Sequence, residues 1–155
     1  MVYRRSKLPS GMELDSLQEI ITKAQDFIKE NNIPLIDISS EELIEYFAGE
    51  TPSGDVTTLA DVLDNQWLLI HELIELSELK RVGLSISFSL LFTHLTDVYE
   101  AHVTATEWEF YLAKQMGDED WIVIRLPLVT SWLNHDPDFP THLRERLHNL
   151  LASYA

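Results

Sequence analysis

The sequence predicts a mainly α fold, a helical bundle around a central antiparallel helix hairpin. Three observations carry that prediction. Apolar residues recur at helical spacing over most of the chain, and side-chain caps and glycines punctuate it at helix-length intervals. Two segments, 58–81 and 85–116, are long and apolar enough to form the spine. At 155 residues, with 45% hydrophobic and 24% charged side chains, the chain is able to bury a sizeable core.

Residues 1–11 read as a flexible basic arm and 12–155 as a single helical domain. From Met12 to about Asn31, Leu17, Ile20, Ile21, Ala24, Phe27 and Ile28 form the stripe of an amphipathic helix. Asn31, Asn32 and Pro34 end it. Ser39 with Glu42 is a capping box for a short helix through Phe47, which Gly49 stops, and 49–57 reads as a turn-rich loop. Thr58 with Asp61 opens the first spine helix, which closes at Gly83. The second starts near Ser85, ends before Gly117, and would span about 45 Å. Residues 121–128 (WIVIRLPL) are open between two states. The β-branched run favours a strand, pairing with 34–38 (PLIDI) as one short two-stranded sheet; the alternative is a helix broken by Pro127. Residues 134–140 form a loop and 141–154 a terminal helix.

Asp and Glu number 26 against 11 Lys and Arg, a net charge of −15. Beyond Arg4, Arg5 and Lys7, the basic residues are scattered, Lys80 and Arg81 being the only other adjacent pair. No basic face exists to meet a phosphate backbone, so neither nucleic acid nor an anionic membrane is an expected partner. The uncharged stretch 82–92 is too short to span a bilayer, and MVYRRSKLPSG has no apolar signal core. With no cysteine, disulfides and thiolate metal sites are excluded, and a cytoplasmic location is expected.

The chemistry-bearing residues gather on the two spine helices. His71, Glu75 and Glu78, at i, i+4 and i+7, stack on one face of a helix whose other positions are almost all apolar. Glu72 lies about 100° away. Buried bare charges cost several kcal/mol each, so a metal, a cationic partner or water must compensate them. If the two helices fold back about Gly83, residue 95 faces His71, which places His94 and Asp97 near that level. Ala101 and Ala105 permit a close crossing there, whereas His102 falls off the His94 face and is set aside. Two imidazoles with carboxylates suit zinc, iron or manganese better than magnesium or calcium. The expected ligands are His71, Glu75 and His94, with Asp97 and Glu78 as further ligands or supports. The bland alternative is a helix pair, with Glu75 or Glu78 bridged to Lys80 or Arg81. An imidazole–carboxylate pair closed by Arg125 or Arg81 would favour a structural or interaction module over an enzyme.

His71-Glu72-x-x-Glu75 resembles the zincin metalloprotease helix His-Glu-x-x-His with glutamate in place of the second histidine. His94 stands where the third ligand of gluzincins would follow on a later helix. That resemblance implies a metal-dependent hydrolase with Glu72 as general base, acting on a peptide or small molecule. Glu72-x-x-Glu75 followed by His94-x-x-Asp97 also resembles the all-α nucleotide pyrophosphatases of the MazG type, in which Glu72 would be a ligand. The run from His71 to Arg81 is similar to segments of small archaeal proteins, which implies no activity.

Other groups read more simply. His135, Asp136, Asp138 and His142 form a polar turn capping the last helix. Trp108, Trp121 and Trp132 with Phe110 and Tyr111 are core aromatics or a homodimer face.

Overall fold

The computed structural model describes residues 12–47 and 58–155. The expected basic arm at 1–11 and the loop at 49–57 lie outside them. The described chain is mainly helical, and no strand occurs among these residues.

Helix α1, Leu14–Glu30, buries Leu17, Ile21, Gln25 and Ile28, the stripe expected of it. It ends in a Schellman turn: Asn32 N–H donates to the Lys29 carbonyl, Ile33 N–H to that of Ile28, and Asn32 takes φ 62°. Asparagine enters this left-handed region more readily than most residues. Residues 33–39 form neither helix nor strand. Two of their donors go to side chains, Ile36 N–H to Ser77 Oγ at 2.8 Å and Ile38 N–H to Gln25 Oε1 at 2.6 Å.

Helix α2, Ser40–Phe47, starts from the Ser39–Glu42 capping box, both bonds of which are formed. The expected 58–81 helix is two. Helix α3, Leu59–Leu63, is opened by the Thr58–Asp61 box. Helix α4, Gln66–Arg81, has its own cap, the Asn65 side chain accepting from Trp67 and Leu68 N–H. Gly83, at φ 91°, closes α4 in a second Schellman turn through Leu84 N–H to the Leu79 carbonyl.

The expected 85–116 helix is also divided. Residues 84–87 are not helical, α5 is the single turn Leu90–Thr93, and α6 runs Leu95–Gln115. The segment open between strand and helix lies inside α7, Glu119–His135. Asp118 decides it locally by accepting from Trp121 N–H as the N-cap. Pro127 sits within α7 on its exposed side, where water is able to satisfy the carbonyl that lacks a donor. Helix α8, Thr141–Tyr154, matches its expected span. The turn before it does not cap it: Asp136 accepts from Tyr99 Oη at 2.7 Å and Asp138 N–H at 3.0 Å, while His142 pairs with Glu100.

One apolar core draws on every helix from α1 to α8. The most extensive helix–helix contact within it is α4 against α6. Trp132 and Phe110 are core aromatics, Trp108 and Trp121 half-buried, and Tyr111 exposed. Among the described residues, no helix is long and apolar enough to cross a membrane.

Candidate metal centre

Helix α4 is buried almost all round because only Gln66, Leu68, Glu72, Glu78, Lys80 and Arg81 keep appreciable contact with water. His71 and Glu75 therefore lie inside the core, at 2% and 3% exposure. Helix α6 meets them with His102 and Glu109, both buried. Helix α7 supplies Arg125, buried, and Trp121, half-buried. Helix α2 supplies Tyr46.

Three atoms converge at the centre. His102 Nδ1 is 2.7 Å from Glu75 Oε1 and 3.1 Å from His71 Nε2, which is 3.4 Å from the same oxygen. This buried His71–Glu75–His102 group is able to hold a metal ion. Its surroundings orient it. The other ring nitrogen of His71, Nδ1, donates to Glu109 Oε1 at 2.8 Å. Glu109 in turn receives Arg125 Nε (2.8 Å), Arg125 Nη2 (3.0 Å) and the Trp121 indole N–H (2.8 Å). The second oxygen of Glu75 accepts from the Tyr46 hydroxyl. His102 has no such anchor. Its Nε2 is buried without a hydrogen-bond partner, and its ring packs on Trp132 with centroids 4.2 Å apart.

The charges follow from these contacts. Burial pushes His71 down, but hydrogen bonds to Glu109 and Glu75 and the nearby carboxylate charges, Glu72 included, outweigh it and raise it to about 10. Glu109 is pushed up by burial and brought down to about 2 by the Arg125 guanidinium and His71. Burial likewise raises Glu75, yet the two imidazoles hold it well below the usual carboxylate range. His102 is pushed down, first by burial and further by the charges of His71 and Arg125, against a weaker pull from Glu75. The buried charges are then His71 and Arg125 against Glu75 and Glu109, which cancel.

Of the residues expected from sequence, His71 and Glu75 lie in this group, and Glu72 adjoins it, half-buried. Three others are corrected in position. His94 breaks the helix between α5 and α6, with φ −138° and ψ 45°, and pairs at the surface with Asp97 at 3.5 Å. Glu78 pairs with Arg81 at the end of α4. The cause is the connection. A turn about Gly83 would put residue 95 opposite His71, but the link between α4 and α6 runs 82–94, with its midpoint at Phe88. Reflection about Phe88 puts residue 105 opposite His71, with His102 and Glu109 about one turn to either side. The missed residues did leave a signal: His102 and Glu109 stand at i and i+7, the spacing that singled out His71 and Glu78. Arg125 is the one Lys or Arg between Lys114 and Arg144, in an otherwise apolar run.

Comparison with known proteins gives no relative. No family model matches the chain, and no curated protein or solved structure is significantly similar to it.

Proposed function

We propose that the protein is a helical metal-binding protein in which His71 Nε2, His102 Nδ1 and Glu75 Oε1 hold one divalent transition ion. The observation that carries this reading is the triangle of 2.7, 3.1 and 3.4 Å between three buried ligand atoms. These three side chains would hold the ion, and the ion would supply Lewis-acid chemistry at that point. Three protein ligands are fewer than the four a closed structural zinc site takes, so water or an exogenous ligand would complete the set. Two imidazoles and one carboxylate favour zinc, iron or manganese over magnesium. Glu109 would fix the His71 tautomer and raise its basicity, as the carboxylate behind a metal-bound histidine does.

The ion would also relieve a conflict. Without it, His71 Nε2–H and His102 Nδ1–H both aim at Glu75 Oε1 across only 3.1 Å. His71 and His102 would hold the ion through these two nitrogens once His71 had released its Nε2 proton and neutral His102 carried its single ring proton on Nε2, beside the Trp132 ring. Metal-dependent hydrolysis is the reaction class such a centre would serve, with Glu72 as the base nearest to it in sequence.

A second reading is favoured by Arg125, which closes the His71–Glu109 pair into a neutral buried network. In that reading the cluster specifies how α4, α6 and α7 pack, and the protein is a structural or interaction module. Metal analysis separates the two. Protein purified without chelator or histidine tag should carry close to one equivalent of metal, and metal-stripped protein should gain thermal stability on adding zinc, manganese or iron. No metal and no gain would leave the closed network as the function of these residues. A hydrolytic role further requires that Glu72→Gln abolish turnover while metal content is kept.

A further inference from the structure

The three ligand residues of the proposed centre are closed to bulk water. His71, Glu75 and His102 are buried, and they line none of the grooves of about 640, 300, 250 and 230 Å³ among the described residues. A peptide or a nucleotide needs an open cleft to reach a reacting group. A molecule of two or three heavy atoms needs only a local opening of the packing. Helix α7 walls the site on the His102 side. Ile122, Arg125, Val129 and Trp132 recur at helical spacing on its buried face. The Trp132 ring lies on His102, and the Arg125 guanidinium is 5.9 Å from the Trp132 ring centroid. At 1% exposure, the Trp132 indole N–H has no hydrogen-bond partner, and neither has the neighbouring His102 Nε2. Buried polar groups are normally paired, so two orphaned nitrogens on stacked rings point to a partner that the chain does not supply.

Charge gives the sign of that partner. With His71 neutral as a ligand, a divalent ion and Arg125 would exceed the buried Glu75 and Glu109 by one positive charge. One monoanion cancels that excess. Glu72 is half-buried and the remaining charge of −15 is spread over the chain, so water and salt screen both, whereas the buried charges act unscreened. We propose that the centre admits a monoanion of two or three heavy atoms with an acceptor at either end, the size of azide, nitrite or formate. Trp132 donates its indole N–H to that anion and sets the size limit. The inference rests on the metal reading and narrows its substrate class: peptides and nucleotides are shut out.

Cobalt(II) loaded into metal-stripped protein tests this, because its visible absorption bands report the ligands around it. Azide should shift those bands saturably and formate should compete with it, while imidazole, a larger neutral ligand, should leave them unchanged. Trp132→Phe keeps a ring on His102 and removes the N–H. It should take up cobalt as the parent does and bind azide about tenfold more weakly, the loss of one hydrogen bond to a charged acceptor. Trp132→Ala removes the wall and should let imidazole shift the bands. No cobalt uptake by the parent would overturn the metal reading and this inference with it. Cobalt uptake with no azide response, a parent response to imidazole equal to that to azide, or unchanged azide affinity in Trp132→Phe would overturn this inference alone.

Discussion

Two histidine–carboxylate pairs, each about one helical turn apart, occur within α4 and at the start of α6, and they have opposite fates. His71 and Glu75 lie in the core at 3.4 Å and are joined there by His102, Glu109 and Arg125. His94 and Asp97 lie at 3.5 Å with both side chains more than 40% exposed, and they touch water instead of further charges. In water such a pair is screened and contributes little. In the core each group must be answered by another, and the answer is a chain of partners running from Tyr46 through Glu75, His71 and Glu109 to Arg125 and Trp121. The comparison shows that spacing alone does not make a site. Convergence from several helices does.

The strongest way to break the comparison is to truncate one side chain in each region. Arg125→Ala would leave Glu109 facing His71 without its main counter-charge and should cost about 3–5 kcal/mol in denaturant unfolding. His94→Ala should stay within about 0.5 kcal/mol of the parent. Equal costs at the two positions would mean that the inner network is solvated in solution.

Acidity sharpens the same contrast. Glu109, lowered to about 2, contributes stability that is complete above its ordinary value near 4.3 and is lost as pH falls toward 2. Glu75, lowered in the same sense, adds to that acid loss. His102, kept neutral by burial, adds a loss that begins as pH falls below about 6.5. His71 runs the other way. Raised to about 10, it contributes fully below about 6.5 and loses that contribution as pH climbs through 10. Metal-free protein should therefore be most stable near pH 6.5, measured as unfolding midpoint against pH. Metal displaces the His71 proton, so its affinity should rise about tenfold per pH unit below 10. A midpoint flat from pH 5 to 9 would contradict these assignments.

Much of this was legible in the sequence, and the parts that were not have identifiable causes. The two capping boxes, the Gly83 and Gly117 stops and the burial of His71 and Glu75 are local facts, set within one or two turns of the chain. The pairing of α4 with α6 depends on the non-helical stretch at 84–89, whose extent no periodicity records. That stretch moved the partner of His71 from His94 to His102. The β-branched run Ile122-Val123-Ile124 spoke for a strand. The Gly117 turn and the Asp118 cap set a helix there instead, and Arg125 needed an inward position to reach Glu109.

Metal affinity gives a smaller and more selective effect. Glu109→Gln keeps the volume behind His71 but removes the charge that orients and polarises it, so affinity should fall about 10–100-fold. His102→Ala should remove stoichiometric binding altogether, and Asp97→Ala should change nothing. Competition with a chromophoric chelator measures all three. Loss of affinity in Asp97→Ala with none in His102→Ala would move the site back to the surface pair.

The smallest effect expected lies at the outer end of the chain of partners. Tyr46 is buried, and its hydroxyl donates to Glu75 Oε2, the oxygen that faces away from the imidazoles. Tyr46→Phe keeps the ring and removes only that donor. A hydrogen bond to a charged acceptor contributes about 1.5–3 kcal/mol, and Glu75 retains His71 and His102 on its other oxygen, so the loss should fall near the lower figure. The carboxylate is then freer to rotate, and metal affinity should drop by less than tenfold, because no ligand atom is lost. The two readouts must move together if Tyr46 acts through Glu75. A stability loss with unchanged metal affinity would show instead that Tyr46 braces helix α2 against the core and leaves the orientation of Glu75 to the imidazoles.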